Sequence, residues 1–339
     1  MIKVLLFGSP CTTWSIAQSK NREVEPEGIG WELFKNCLIV KEKFKPDYFL
    51  YENNFSISKD IKKAISESFG VENFMINSAL VSAQQRRREY WFNWDCEQPE
   101  DRGILLKDIV LDDVYPVALH NLYGGFKETS VRVFEEKSPT IRTAKGGGHI
   151  PSFVKKDLIH TEKAIEYMNR QAADGRTHWD FKYHSDMNED KASTVVANFF
   201  KGVPYNVFKD WDCIRKFHPI EVERLQTMPE NYTAIGIEDG KDMKISDTQR
   251  YKMLGNGWNA ETIMHILKSA KIPLDEEIMV ISLYDGIGTG RYCFDKLGYK
   301  NIHYVAYEND KYATSVALKN YPDIIQNRCY IVVRVKVGL

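Results

Sequence analysis

The first eleven residues constrain the possible fold more than any other segment of this chain. A short, mainly apolar run at residues 3–7 is followed directly by Gly8, Ser9 and Pro10, which predicts a buried strand ending in a tight turn. Cys11 comes next, and Pro10 stiffens the backbone before it because proline fixes φ and lacks an N–H. In open α/β sheets, ligands and catalytic groups collect at the carboxyl ends of the strands. Cys11 is therefore either a reactive thiol at such an end or a small buried side chain, as free cysteines commonly are.

Further strand-like runs also end in polar residues. The run at 46–51 ends in Glu52, Asn53 and Asn54, and a segment with helical spacing at 30–44 precedes it as a predicted crossover helix. The run at 74–81 leads into the polar stretch 82–88 and the strand-like residues 90–92. The run at 278–284 leads into the glycine-rich turn 285–290, and the run at 302–307 ends in Glu308, Asn309 and Asp310. This alternation of strands and helices predicts an α/β fold.

Composition limits the class of protein. The six cysteines form no C-x-x-C pair and no Cys/His cluster with zinc spacing, so we expect neither disulfides nor a metal site. No apolar stretch is long enough to span a bilayer and no secretory signal precedes the first strand, so we expect a cytoplasmic protein. The net charge of −1 argues against a non-specific nucleic-acid coat but permits a focused DNA groove.

The middle of the chain differs from both ends. From about residue 119 to 213 the pattern is irregular, and glycine clusters occur at 124–125 and 146–148. The total of 339 residues is enough for a large domain and a smaller one. We therefore expect a separate, loop-rich domain inserted between two α/β pieces.

Two combinations of strand ends carry candidate chemistry. The turn 285–290 followed about twenty residues later by Glu308 suits a nucleoside cofactor, with the carboxylate on the ribose hydroxyls, although a tight structural turn explains the glycines nearly as well. Cys11 and Glu52 together could attack an electron-poor ring and protonate it, whereas Glu52 alone would be interpreted as part of a turn. The stretch 84–88 is either a solvated charge run or an anion contact.

Six motifs together resemble the cytosine-C5 DNA methyltransferases. The matching residues, in chain order, are Gly8-Ser9-Pro10-Cys11 (the Pro-Cys loop), Glu52-Asn53-Asn54 (Glu-Asn-Val), Gln84, Arg86 and Arg88 (Q-x-R-x-R), 224–229 (R-L-Q-G-F-P), 254–258 (G-N-[AS]-[VW]) and 282–290 (S-L-F-D-G-I-A-T-G). The last resembles the cofactor turn of the animal de novo enzymes and their phage relatives.

The motif order departs from that family. Its members begin with the cofactor turn and continue to the Pro-Cys loop, whereas this chain opens with the loop and carries the turn after the 254–258 motif. The resemblance thus implies a circular permutation, cut between the third and fourth strands of the sheet. A second departure is that no acidic residue follows Asp323, where the family has one for the adenine amino group; part of that pocket is expected to be missing.

The fold implied by the resemblance is a doubly wound, Rossmann-like sheet of the S-adenosylmethionine-dependent methyltransferases with a smaller, irregular target-recognition domain. Residues 1–118 and 246–339 would form the two parts of the catalytic sheet domain. Residues 119–245 would form the target-recognition domain and include the Arg-Leu-Gln element.

The resemblance also implies site residues and a mechanism on a cytosine flipped out of the duplex. Cys11 is implied as the nucleophile at C6, Glu52 as the acid at N3 and Asn53 as a residue that shapes the loop. Arg88 is implied as a cation in the pocket, and Arg86 as a contact nearer the phosphate. The implied cofactor is S-adenosyl-L-methionine, bound by Tyr284, Asp285, Gly286, Ile287, Gly288, Thr289, Glu308, Asn309, Asn256, Gly257, Trp258, Ser9 and Pro10.

The implied partner is double-stranded DNA, with a cognate restriction endonuclease as a candidate further partner, and the protein is expected to be a monomer. Two alternatives remain at this point. One is the same chemistry on tRNA, against which the sizeable middle domain argues. The other is a catalytically impaired DNA-binding remnant, suggested by the atypical end at 327–339 and opposed by the intact Cys11, Glu52 and Arg88.

Overall fold

A seven-stranded sheet forms the centre of the protein in the computed structural model, which describes residues 1–10, 12–15, 22–120, 132–141, 151–155 and 214–328. Its strands are β1 (Ile2–Phe7), β2 (Tyr48–Asn54), β3 (Phe74–Asn77), β4 (Arg87–Phe92), β11 (Ile278–Leu283), β12 (Ile302–Tyr307) and β13 (Ile325–Asn327), in the spatial order β13-β12-β11-β1-β2-β4-β3. The pairs from β13 to β2 are parallel, and only the pairs made by β4 are antiparallel.

The register of the parallel strands aligns their carboxyl ends. Phe7 at the end of β1 lies opposite Leu283 on one side and Tyr51 on the other, and Leu283 lies opposite Tyr307. The polar residues that follow these four strands therefore meet at one edge of the sheet. This is the edge where open α/β sheets bind ligands.

Helices cover both faces of this sheet. They are α1 (Gly28–Phe44), α2 (Lys59–Phe69), α3 (Pro219–Leu225), α4 (Asp247–Asn256), α5 (Ala260–Ser269), α6 (Thr289–Leu297) and α7 (Lys311–Asn320). Side chains alternate along a strand, so Leu5 and Phe7 of β1 are buried in a cluster with α1 and α2, while Val4 and Leu6 are buried in the cluster that includes α3 to α7. The expectation of a doubly wound α/β fold is confirmed.

The remaining strands form two smaller sheets. β5 (Val114–His120), β6 (Arg132–Phe134), β7 (Ser152–Lys155) and β8 (Ile214–Lys216) form an antiparallel sheet in the order β6-β5-β7-β8, and β9 (Ile235–Glu238) pairs with β10 (Lys241–Lys244). Most of the irregular middle segment lies outside the described residues, including both of its glycine clusters. In the part of the chain that the structure describes, none of the helices combines the length and apolar character that crossing a membrane requires.

One predicted strand is shorter than the sequence pattern indicated. The run at 74–81 is a strand only over Phe74–Asn77, and the prediction of a strand up to residue 81 is wrong. The Asn77 side chain accepts a hydrogen bond from the Ala79 N–H and starts the 3₁₀ turn Ser78–Leu80. An apolar composition continues through this turn, so hydrophobicity alone does not reveal where the strand ends.

Candidate active site

A cavity of about 320 Å³ lies at the carboxyl edge of the large sheet. Most of the residues that the sequence predicts for the site line it: Ser9, Pro10, Glu52, Asn53, Arg86, Arg88, Asn256, Gly257, Trp258, Tyr284, Asp285, Gly286, Thr289 and Glu308. Three predicted residues, Ile287, Gly288 and Asn309, belong to the same turns but do not line the cavity. Cys11 lies outside the described residues, between the lining residues Pro10 and Thr12.

Glu52 is held by a donor on each carboxylate oxygen. The Arg88 Nε donates to Oε1 over 2.9 Å, and the Trp258 Nε1 donates to Oε2 over 3.1 Å. The Glu52 and Arg88 side chains are only 14 % and 15 % exposed, so water screens this ion pair less than one at the surface. The carboxylate therefore has a defined orientation within the cavity.

Asn53 connects the end of β2 to the turn after β1. Its Nδ2 donates to the Tyr51 hydroxyl over 2.9 Å and to the Ser9 carbonyl oxygen over 3.3 Å, and its Oδ1 accepts from the Asn54 N–H over 2.8 Å. Burial raises the pKa of the Tyr51 hydroxyl well above its usual value, so Tyr51 stays protonated and shares a hydrogen bond of 2.6 Å with the Ser9 Oγ. This buried network supports the backbone that leads to position 11.

Arg86 is a buried residue that binds backbone carbonyl groups. It is only 3 % exposed, and its guanidinium donates to the carbonyl oxygens of Gly257 (2.7 Å), Gly255 (3.2 Å) and Ile141 (3.3 Å). These hydrogen bonds hold the backbone at 255–257. The expected contact of Arg86 with a phosphate stays a prediction.

Glu23, which the sequence pattern did not reveal, anchors the segment after position 11. Its Oε2 accepts hydrogen bonds from the Thr13 Oγ1 (2.9 Å), the Trp14 Nε1 (3.0 Å) and the Gly30 N–H (3.0 Å), and its Oε1 accepts from the Ile29 N–H (2.9 Å). The last two donors belong to the first turn of α1, where a negative charge is favourable. An isolated glutamate in a loop carries no motif that could have predicted this role.

The glycine-rich turn and Glu308 form the opposite wall of the cavity. Gly286 has a φ of +66°, and a Cβ there would meet no atom within 4 Å, so its backbone faces open space. The Glu308 Oε2 accepts from the Gly286 N–H over 2.9 Å, while its Oε1 accepts from the N–H groups of Asn309 (2.7 Å) and Asp310 (2.8 Å). The carboxylate thereby ties two strand ends together.

Two further acidic groups line this wall. Burial raises the pKa of Asp285 to about 6, against the hydrogen bond that its Oδ1 accepts from the Tyr304 hydroxyl over 2.6 Å. Asp310 forms an ion pair with Lys252, and neither residue was predicted. Burial alone would raise the pKa of Asp310, but the hydrogen bonds from Lys252 and from two N–H groups of α7 lower it. A capping aspartate is recognisable in sequence, whereas its long-range lysine partner is not.

Comparison with known proteins identifies the family. The profile of the C-5 cytosine-specific DNA methylases matches residues 1–271, so the chain belongs to this family. A solved structure that resembles it is a mutant of DNMT2 from Spodoptera frugiperda, with 18% identity, a TM-score of 0.44 and 79% of each chain covered. None of the curated proteins compared with this chain matches it significantly.

Membership of the family confirms two of the expectations. The fold is that of the S-adenosylmethionine-dependent methyltransferases, and S-adenosyl-L-methionine is the methyl donor of the family. The cavity fits such a group: its volume of about 320 Å³ lies within the range of small-molecule sites, roughly 300–1,000 Å³. The Glu308 carboxylate, which can accept about four hydrogen bonds, uses three of them on backbone N–H groups.

Proposed function

We propose that this chain methylates C5 of cytosine in double-stranded DNA through a covalent adduct with Cys11. The observation that supports it best is a single cavity shared by two sets of groups. One set is Glu52 with Arg88, suited to hold and protonate a pyrimidine edge. The other is the glycine-rich turn with Glu308, suited to a nucleoside cofactor.

The proposed reaction assigns a step to each residue. The Cys11 thiolate forms a bond to C6 of the flipped cytosine and displaces the electron pair of the C5–C6 double bond into the ring. A proton that Glu52 holds at N3 stabilises this electron pair and makes C5 nucleophilic. S-adenosyl-L-methionine supplies an electrophilic methyl group when bound, and C5 takes it. Loss of the C5 proton re-forms the C5–C6 double bond and expels the thiolate. Arg88 keeps the Glu52 carboxyl in place throughout.

The residues proposed to bind the cofactor are the turn residues that line the cavity, Glu308 and the segment 256–258. Glu308 would bind the ribose, and the segment 256–258 would contact the methionine end of the cofactor. Glu308 has one accepting position left for a hydroxyl, and the Gly286 backbone is open to the cavity. The family match ends at residue 271, before this turn. The assignment of the turn therefore depends on the geometry of the cavity.

We also propose the circular permutation and the domain division. In support, β11, which leads into the turn, pairs in parallel with β1, which leads into the Cys11 loop. Residues 1–118 and 246–339 are assigned to the catalytic domain and 119–245 to target recognition. The strands β6, β7 and β8 of the antiparallel sheet lie in the latter range, and β5 crosses the boundary at 118. A monomeric, cytoplasmic enzyme with a restriction endonuclease as its candidate partner completes the proposal.

Methyl transfer from labelled S-adenosyl-L-methionine to duplex DNA and to tRNA tests this proposal. Wild type should label DNA, be trapped on DNA that carries 5-fluorocytosine, and lose both properties in Cys11→Ser. Cys96→Ser is the matched control, because Cys96 is partly exposed and does not line the cavity. If tRNA alone is labelled, the substrate is tRNA and not DNA. If the protein binds DNA but transfers no methyl group, it is a DNA-binding protein and not an enzyme.

A further inference from the structure

One hydrogen bond joins the acidic group of the site to a distant aromatic residue. The Trp258 Nε1 donates to the Glu52 Oε2 over 3.1 Å, although the two residues are 206 positions apart in the chain. Glu52 belongs to β2, and Trp258 lies in the short link between α4 and α5. Both line the same cavity, so the contact is part of the site.

We propose that Trp258 is a positioning residue that orients the Glu52 carboxyl so that Oε2, the oxygen that does not contact Arg88, presents the catalytic proton. The inference rests on the proposed function, because it assigns Glu52 the proton at N3. It goes beyond the expectation that Trp258 only closes the methionine end of the cofactor site.

The argument begins from the difference between the two donors. The Glu52 Oε1 faces the Arg88 guanidinium, which is always charged, and Oε2 faces the neutral indole N–H. A proton on Oε1 would lie against a cation, whereas Oε2 has no cation to oppose it. The proton is therefore carried by Oε2. Each Glu52 oxygen retains one further position for a hydrogen bond with the target cytosine, because a carboxylate can accept about four hydrogen bonds.

Hydrogen bonds fix the backbone on both sides of Trp258, so the position of the indole ring is well defined. The Arg86 Nη2 donates to the Gly257 carbonyl oxygen over 2.7 Å, and the Gly257 N–H donates to the Met253 carbonyl oxygen over 2.8 Å. On the other side, the Asn259 Nδ2 donates to the Leu225 carbonyl oxygen over 3.0 Å. Arg88 thus acts on Glu52 directly, and Arg86 acts on it through the segment that carries Trp258.

Trp258→Phe separates this role from simple lining of the cofactor site, because it keeps an aromatic ring and removes the N–H. We expect kcat to fall about 10- to 150-fold, which corresponds to one hydrogen bond to a charged group. KM for S-adenosyl-L-methionine should stay within about twofold.

Trp94→Phe is the matched control. The Trp94 indole N–H donates to the Ile266 carbonyl oxygen and the Ser269 Oγ, both over 3.0 Å and away from the cavity. This variant should keep the wild-type kcat and KM.

A double-mutant cycle with Glu52→Gln completes the test. Trp258→Phe should have little further effect in that background, because the group it orients has been replaced. An unchanged kcat in Trp258→Phe, or a change in the cofactor KM alone, would overturn the inference. Absence of transfer by wild type would instead overturn the proposed function, so the two failures are distinct.

Discussion

Glu308→Ala should weaken cofactor binding more than any other single change in the turn region. In the structure the carboxylate accepts hydrogen bonds from three backbone N–H groups, those of Gly286, Asn309 and Asp310. The one remaining position is proposed to accept a ribose hydroxyl. A hydrogen bond to a charged group contributes about 1.5–3 kcal/mol, so its loss alone should raise the Kd about 10- to 150-fold.

The three N–H groups left without an acceptor add to this loss, because the turn at Gly286 is then held less firmly. Glu308→Gln should not restore binding. An amide replaces one oxygen by an NH₂ donor, and both carboxylate oxygens face N–H donors in the structure. Either orientation of the amide therefore brings two donors together.

Isothermal titration calorimetry with S-adenosyl-L-methionine measures the effect, and His303→Ala is the control. His303 is on β12, the strand that leads to Glu308, but its side chain is half exposed and contacts Glu277 rather than the cavity. Its substitution should leave the Kd unchanged. A Glu308→Ala variant that is folded and binds within twofold of wild type would refute the assignment of Glu308 to the cofactor.

Three further substitutions test separate parts of the site. Burial raises the pKa of Asp285 from 3.8 to about 6. The stability that the Asp285 proton provides is therefore present at low pH and is lost as pH rises from about 4 to about 6. In urea titrations, Asp285→Asn should remove this pH dependence of the unfolding free energy. Arg86→Lys loses the fork that reaches three carbonyl oxygens and should lower the unfolding free energy by about 1–3 kcal/mol, whereas the exposed Arg87→Lys should leave it unchanged. Glu23→Gln places an amide donor next to the N–H groups of Trp14 and α1. It should lower the unfolding free energy by about 1–3 kcal/mol and slow methyl transfer.

The strand ends at the cavity were predictable because their signal is local. An apolar run followed by a polar residue is visible in any single sequence, and the strands at 278–283 and 302–307 begin and end within a residue of the predicted runs. Parallel pairing then brings Glu52 and Glu308 to one edge without further information.

The side-chain partners across the cavity were not predictable in the same way. Arg86 binds backbone carbonyls at 255–257, and Lys252 binds Asp310. These contacts depend on where α4 packs, which no local pattern specifies. The sequence therefore did not reveal that Arg86 supports Gly257, the neighbour of Trp258.

The register of the sheet explains how groups from opposite ends of the chain can build one site. β1 lies between β11 and β2, and each of its partners is aligned with it to the last residue of the strand. The relative heights of Glu52 and of the turn that follows Leu283 are therefore determined by sheet pairing and not by chain order. A sequence that opened at any other loop of this sheet would place the same side chains around the same cavity. This is why the permuted order of the motifs is compatible with the proposed site. It is also why the residues beyond 271 matter, because β11 and β12 lead into the turn and Glu308, which line the cavity.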